Sequence, residues 1–213
     1  MNDQRSELDS LRELPVIAIL RGWPTETVLR IAGTCVATGF TTVEVTMNSP
    51  EAETCIRRLT EQFSELTVGA GTVRTRQEMN RALGAGAQFI VTPVLDQSLI
   101  RHCVREGIPV FPGAFSPTEI HQAWSWGATA VKVFPADMLG ADYLRAVLAP
   151  LDDVKLLPTG GVNHANVGTF FAAGATAVGM GGGLLDKRMI NSDDFSALSS
   201  HMLRIRASLP TLR

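Results

Sequence analysis

Cysteine is scarce in this sequence: Cys35, Cys55 and Cys103 are the only three among 213 residues. None lies close to another in the chain and an odd number cannot pair off completely. No disulfide framework is expected, and the reading is a reducing, cytoplasmic setting. Histidine is scarce too. His102, His121, His164 and His201 fall on predicted helices or loops with no ligand spacing between them, which disfavours a metal site and a metal-dependent mechanism. An excess of one charge is also lacking. Nineteen Lys and Arg against 21 Asp and Glu leave a formal net charge of −2, so there is no electrostatic footprint for nucleic acid or an anionic membrane. No apolar run approaches the ~20 residues of a membrane span, and the polar opening MNDQRSELDSLREL has no leader-like apolar core. The GxSxG, Walker and dinucleotide fingerprints are missing, and no cofactor is expected. What these absences leave is a protein that acts on a small molecule.

What is present is a repeating pattern. Hydrophobic residues make up 45% of the chain, enough for one large core, and one domain is expected over 1–213. Eight β-rich runs recur: VIAIL at 16–20, TTVEVT at 41–46, LTVGAG at 66–71, QFIVT at 88–92, IPVF at 108–111, TAVKVF at 129–134, VKLLPT at 154–159 and TAVGMG at 176–181. Each interval is long enough for one crossover helix, so the runs read as parallel βαβ units. Helical spacing over 25–38 stops at Gly39, over 77–85 at Gly86 and over 117–126 at Gly127. The segments ATGF, GAGAQF, WGATAV and AAGATAV repeat one signature, a helix end followed by glycine and then a strand. Eight such units predict a single (β/α)8 TIM barrel, with an open doubly wound sheet as the runner-up. Residues 2–13 are expected to form an extra N-terminal helix over the barrel bottom, and 192–207 the closing helix.

Barrel strands are buried on both faces and should be apolar. Polar residues inside them therefore mark the site. In AVKVF, Val131 and Val133 share one face while Ala130, Lys132 and Phe134 share the other. If the valines meet the helices, Lys132 points into the barrel, where lost solvation favours the neutral, nucleophilic amine. The competing reading is a lysine that snorkels out or merely pairs with an acid. In TTVEVT the same alternation places Glu44 inward with Thr42 and Thr46, and a carboxylate beside an imine-forming lysine can shuttle protons. Arg21 follows the first strand as a fork for a carboxylate or phosphate. Thr72 and Thr92 end the third and fourth strands as hydrogen-bond donors. The glycine turns PTGGV at 158–162 and GMGGG at 179–183 follow strands seven and eight, the usual phosphate position in such a barrel.

In order and spacing, LPVIAILRG, VEVTMNSP, VGAGTV, FIVTP, VFPGAFSPTE, AVKVFPA and LPTGGV resemble the 2-keto-3-deoxy-6-phosphogluconate / 4-hydroxy-2-oxoglutarate aldolase family, over about residues 14–186. The resemblance implies a homotrimeric class I aldolase that splits a 2-keto-3-deoxy-6-phospho sugar acid, of gluconate or galactonate type, into pyruvate and glyceraldehyde 3-phosphate. It implies Lys132 as the Schiff-base lysine and Glu44 as the general acid/base. Arg21 would take the carboxylate, Thr72 and Pro93 would border the pyruvate moiety and Phe134 would pack on it. Thr159, Gly160 and Gly161, with the Gly181–Gly182 turn, would hold the distal hydroxyls and phosphate. Two positions depart from the family pattern: Asn48 stands where an arginine is usual, and Gly183 where a phosphate-binding serine is common. Beside this reading stand an aldolase for 4-hydroxy-2-oxoglutarate or an unphosphorylated keto acid, a phosphosugar isomerase or epimerase barrel, and a barrel that only binds a metabolite.

Overall fold

The strands are buried on both faces, by helices on one side and by an enclosed interior on the other, in the computed structural model, which describes residues 8–210. The β-branched runs form β1 (Val16–Leu20), β2 (Thr42–Thr46), β3 (Thr67–Gly71), β4 (Ile90–Val91), β5 (Val110–Phe111), β6 (Gly113–Ala114), β7 (Val131–Val133), β8 (Leu156–Pro158) and β9 (Val178–Met180). One sheet runs β5-β4-β3-β2-β1-β9 and a second β6-β7-β8, and their pairings are parallel, as βαβ connections require. The fifth expected strand, 108–111, is corrected here: it resumes beyond Pro112. Proline has no N–H to give a ladder, so it splits the strand. β5 on one side pairs with β4, and β6 on the other with β7. Between β8 and β9 a single bridge joins Thr159 to Gly179, and Thr176 N donates to Leu156 O at 2.9 Å. The result is a parallel sheet curled around an interior.

Helices fill the connections: α1 (Asp9–Glu13), α2 (Thr25–Thr38), α3 (Ala52–Gln62), α4 (Arg76–Gly84), α5 (Gln97–Arg105), α6 (Pro117–Ser125), α7 (Ala136–Leu148), α8 (Val167–Ala172), α9 (Lys187–Asn191) and α10 (Phe195–Ala207). Their ends follow local chemistry. α2 stops at Gly39, whose φ of 80° lets its N–H turn back to the Cys35 and Val36 carbonyls. α6 starts on a Ser116–Glu119 capping box with Pro117 in its first turn. Of the N-terminal helix expected over 2–13, the structure contains Asp9–Glu13, and residues 2–7 lie outside the described residues. None of the described helices is long and apolar enough to cross a membrane.

Two apolar layers result. Val43, Val45, Val131 and Val133 belong to the outer one, packed beneath the helices. Ile17, Phe89, Val91, Phe111, Ala130, Leu157 and Ala177 form a separate inner plug, with Leu8 and Leu11 packed against it. Phe89 and Phe111 meet edge to face, their centroids 5.7 Å apart, a favoured ring geometry. Phe89 is fully buried, so Phe89→Ala should open a cavity in the plug. Urea unfolding is expected to show a loss of about 3–5 kcal/mol.

Candidate active site

The chemistry lies one step of the pleat beyond the plug. Two residues along each strand, the inward series passes from Ala130 to Lys132, from Leu157 to Thr159 and from Thr42 to Glu44. Lys132 is 3% exposed and Glu44 is 2% exposed. Glu44 fits because β3 is bare beside it. A Cβ added at Gly71 would fall 2.4 Å from Glu44 Oε1, so any side chain there would displace the carboxylate. That Oε1 is buried and has no hydrogen-bond partner, which in a native interior asks for an explanation such as a catalytic role. Among the described residues, the Glu44 carboxylate and Lys132 amine form no direct ion pair.

Burial acts on the two groups in opposite senses. It pushes the Glu44 carboxyl up from the ordinary carboxylate range, while Lys132 and then Arg21 pull it back. It pushes the Lys132 amine down, with Glu44 opposing and Arg21 reinforcing that fall. Desolvation leads in both cases and the charge partner comes second. The two proton affinities are thereby drawn toward each other, which is what a lysine nucleophile and its proton shuttle need near neutral pH.

Above the pair opens a cavity of about 410 Å³. Arg21, Lys132, Phe134, Thr159, Gly160, Gly161, Gly181 and Gly182 all line it, so eight of the residues singled out from sequence converge there. The Phe134 ring centroid lies 5.0 Å from Lys132 Nζ. Glu44 is not in the wall but buried with Lys132. Thr72 and Pro93 are not in the wall either. Thr72 Oγ1 instead accepts from Arg21 Nη2 at 2.9 Å, and it does so from a left-handed backbone with φ 55°, an uncommon conformation for a β-branched residue. Pro93 presents its carbonyl to Gly113, where an added Cβ would come within 2.4 Å. Thr92 Oγ1 donates to Val94 O at 2.6 Å. Asn48 is exposed and away from the wall.

Sequence reasoning passed over Ile19, Trp23, Val162, Leu185 and Lys187, which also line the cavity. Lys187 carried a signal, being one of only three lysines and following a glycine turn. Ser49 was missed as a tether. Its Oγ accepts from Gly22 N at 2.8 Å and shares a hydrogen bond with Thr46 Oγ1 at 2.7 Å, fixing the loop that carries Arg21. Among the described residues, no group of three or more His, Cys, Asp or Glu is arranged to hold a metal ion.

A curled parallel sheet with a buried lysine–carboxylate pair at the floor of a cation-lined cavity defines an α/β enzyme equipped for carbonyl chemistry. The family model described as KDPG and KHG aldolase matches residues 8–200, and the chain belongs to that family of aldolases. The 2-dehydro-3-deoxy-phosphogluconate aldolase of Treponema pallidum (strain Nichols) is 33% identical over 202 residues, 93% of this chain and 95% of that protein. The 2-dehydro-3-deoxy-6-phosphogalactonate aldolase of Escherichia coli (strain K12) is 35% identical over 174 residues, 81% of this chain and 85% of its own. Among solved structures, one described as native KDPGal superposes with a TM-score of 0.85 at 31% identity, covering 92% of this chain and 94% of that one. The KDPG aldolase of Legionella pneumophila, with pyruvate captured as a covalent carbinolamine, superposes with a TM-score of 0.85 at 27% identity and covers 92% and 96%.

The unpartnered carboxylate has a thermodynamic consequence. The folded chain holds the Glu44 proton more tightly than the unfolded chain does, so ionisation costs stability as pH rises through and above the ordinary carboxylate range. Glu44→Gln removes that cost, which for a buried unsatisfied group is on the order of 1 kcal/mol. Thermal melts should therefore show Glu44→Gln more stable than the parent by a few degrees at neutral pH, with the gap closing toward pH ~4.

Proposed function

We propose that this chain is a class I aldolase that cleaves a 2-keto-3-deoxy-6-phospho sugar acid into pyruvate and glyceraldehyde 3-phosphate. The observation that carries the reading is the buried Lys132 amine facing a buried carboxylate whose Oε1 has no protein partner. Lys132 attacks the C2 ketone, and loss of water gives a protonated imine. Glu44, directly or through a water, takes the proton of the C4 hydroxyl. The C3–C4 bond breaks, its electron pair moves into the imine as an enamine, and the aldehyde leaves. The enamine is protonated at C3 and hydrolysis frees pyruvate and the amine. The covalent imine divides one high barrier into lower ones, and a placed proton shuttle contributes typically ~10²–10⁴-fold.

In this reading Arg21, oriented by Thr72, takes the carboxylate with its planar fork. Phe134 packs on the pyruvate moiety, and Pro93 borders it by closing the chain against Gly113. Thr159 meets the distal hydroxyls, and the backbone at Gly160, Gly161, Gly181 and Gly182 meets the phosphate. No metal or cofactor takes part. The T. pallidum and E. coli relatives act, by their names, on the gluconate and galactonate forms, at 33% and 35% identity, so the C4 configuration is left for a substrate panel. The same panel includes 4-hydroxy-2-oxoglutarate and the unphosphorylated acids. Family membership and the Lys132–Glu44 pair weigh against an isomerase or epimerase barrel.

We extend the proposal to the assembly. The Thr159–Gly179 bridge and the β5–β6 continuity support one closed eight-stranded barrel domain over 1–213, capped at its N-terminal end by the helix containing Leu11. Val94, Phe115 and Met138, 55%, 49% and 77% exposed, follow β4, β6 and β7. Such large exposed apolar side chains support a contact between subunits, and the family resemblance is what makes the proposed assembly a homotrimer. Three buried free cysteines suit a cytoplasmic setting.

Borohydride reduction in the presence of pyruvate should add a stable adduct to the peptide carrying Lys132, at pH values well below the ordinary lysine range. Lys132→Ala should lose both adduct and turnover. An unmodified Lys132 peptide, read by mass spectrometry, would overturn the imine mechanism.

A further inference from the structure

The wall of the cavity contains a cation that the proposed reaction at Lys132 does not use. Lys187 stands four residues beyond Gly183 and lines the same cavity as Lys132 and the glycine turns after β8 and β9. The intervening chain folds back because Leu184 N and Leu185 N both donate to Gly181 O, at 2.9 and 2.8 Å. Lys187 makes no ion pair among the described residues. The adjacent carboxylate, Asp186, is turned to Arg188 instead, accepting from its backbone N at 2.8 Å and its Nη2 at 3.0 Å.

The position where a serine hydroxyl would be sought is closed. A Cβ built on Gly183 would fall 2.1 Å from Val162 O and 3.0 Å from Asn163 Cα. The Gly183 carbonyl is itself tied to His201 Nε2 at 2.9 Å. Backbone cannot yield as a flexible side chain can, so no side chain at 183 is available to an anion. Behind the other turn stands an acid: a Cβ on Gly161 would fall 2.3 Å from Asp137 Cβ. That nearby carboxylate works against an anion held by backbone N–H groups alone, and a side-chain cation is needed to offset it. The cavity wall contains no Asp or Glu, and Lys187 is its cation beyond Arg21 and Lys132.

We infer that Lys187 binds the phosphate of the substrate and makes this enzyme select phosphorylated over unphosphorylated 2-keto-3-deoxy acids, an assignment that rests on the function proposed above. A lysine suits the task, being a compact point charge on a long flexible stem that reaches a phosphate from the rim. Binding at this end is remote from the C3–C4 bond, so it acts as a handle that raises kcat/KM for the substrate that carries it.

The test compares the parent with Lys187→Met and Lys187→Arg on a 2-keto-3-deoxy acid with and without its 6-phosphate. Lys187→Met should lower kcat/KM for the phosphorylated acid about tenfold or more, mainly through KM, and leave the unphosphorylated acid unchanged. Lys187→Arg should restore most of the difference. Equal loss on both acids, or no loss on either, overturns the assignment. Calorimetric titration with glycerol 3-phosphate, which has a phosphomonoester and no ketone, reads the same site without imine chemistry. Weaker binding to Lys187→Met supports the role of Lys187, whereas equal binding to parent and variant, or none to either, overturns it. Borohydride trapping with pyruvate judges the Lys132 mechanism separately, so failure of one is not mistaken for failure of the other.

Discussion

Lys132 and Glu44 are the only buried residues with a formally charged side chain among the described residues, and their shared desolvation organises the interior around them. Below them the Phe89–Phe111 plug excludes water from the N-terminal end of the curled sheet. Beside them Gly71 leaves room for a carboxylate that any Cβ would displace. In water, two unit charges a few ångströms apart interact by only about 1 kcal/mol, and several-fold more where the effective dielectric is lower. Here burial outweighs the mutual attraction for both groups. A tight ion pair would have quenched the amine. The absence of a direct pair leaves the Lys132 amine, which lines the cavity, unquenched and Glu44 Oε1 without a protein partner.

That arrangement trades stability for chemistry. A buried carboxylate oxygen without a donor, a threonine held at φ 55° and successive glycines around the rim are each costly in a folded chain. They cluster at the C-terminal ends of the strands, where a parallel barrel presents its loops. The outer layer of valines under the helices offsets those costs at a distance from the reacting groups. The outward face of the strands thus serves stability alone, while the inward face carries the plug at one end and the reacting groups at the other.

The cavity wall contains three cations, Arg21, Lys132 and Lys187, and no Asp or Glu, which suits an anionic ligand. Arg21, oriented by Thr72 and by the Ser49 tether on its loop, stands where the first strand ends. Lys187 stands at the start of α9, beyond the turn after β9. Lys132 lines the same cavity and is buried almost completely, while Lys187 at the rim stays exposed. Depth therefore sets the role of Lys132, since desolvation pushes its amine toward the neutral, nucleophilic form.

The alternation of valine with lysine and glutamate was enough to orient Lys132 and Glu44, because strand side chains switch faces at every residue whatever lies nearby. Helix stops at Gly39, Gly86 and Gly127 were equally legible, since a left-handed C-terminal residue is a local demand. Other features depended on segments far apart in the chain. The break at Pro112 was visible as a residue but not as a division of one strand between two partners. Thr72 reaches Arg21 across 51 positions, and Gly183 is closed by a carbonyl from the preceding loop. Periodicity and turn chemistry thus determine which residues face inward, since both act within a few residues. Which inward groups share a cavity, how dry each one is and which positions are sterically closed are settled by packing between distant segments, and those quantities govern proton affinity and ligand choice.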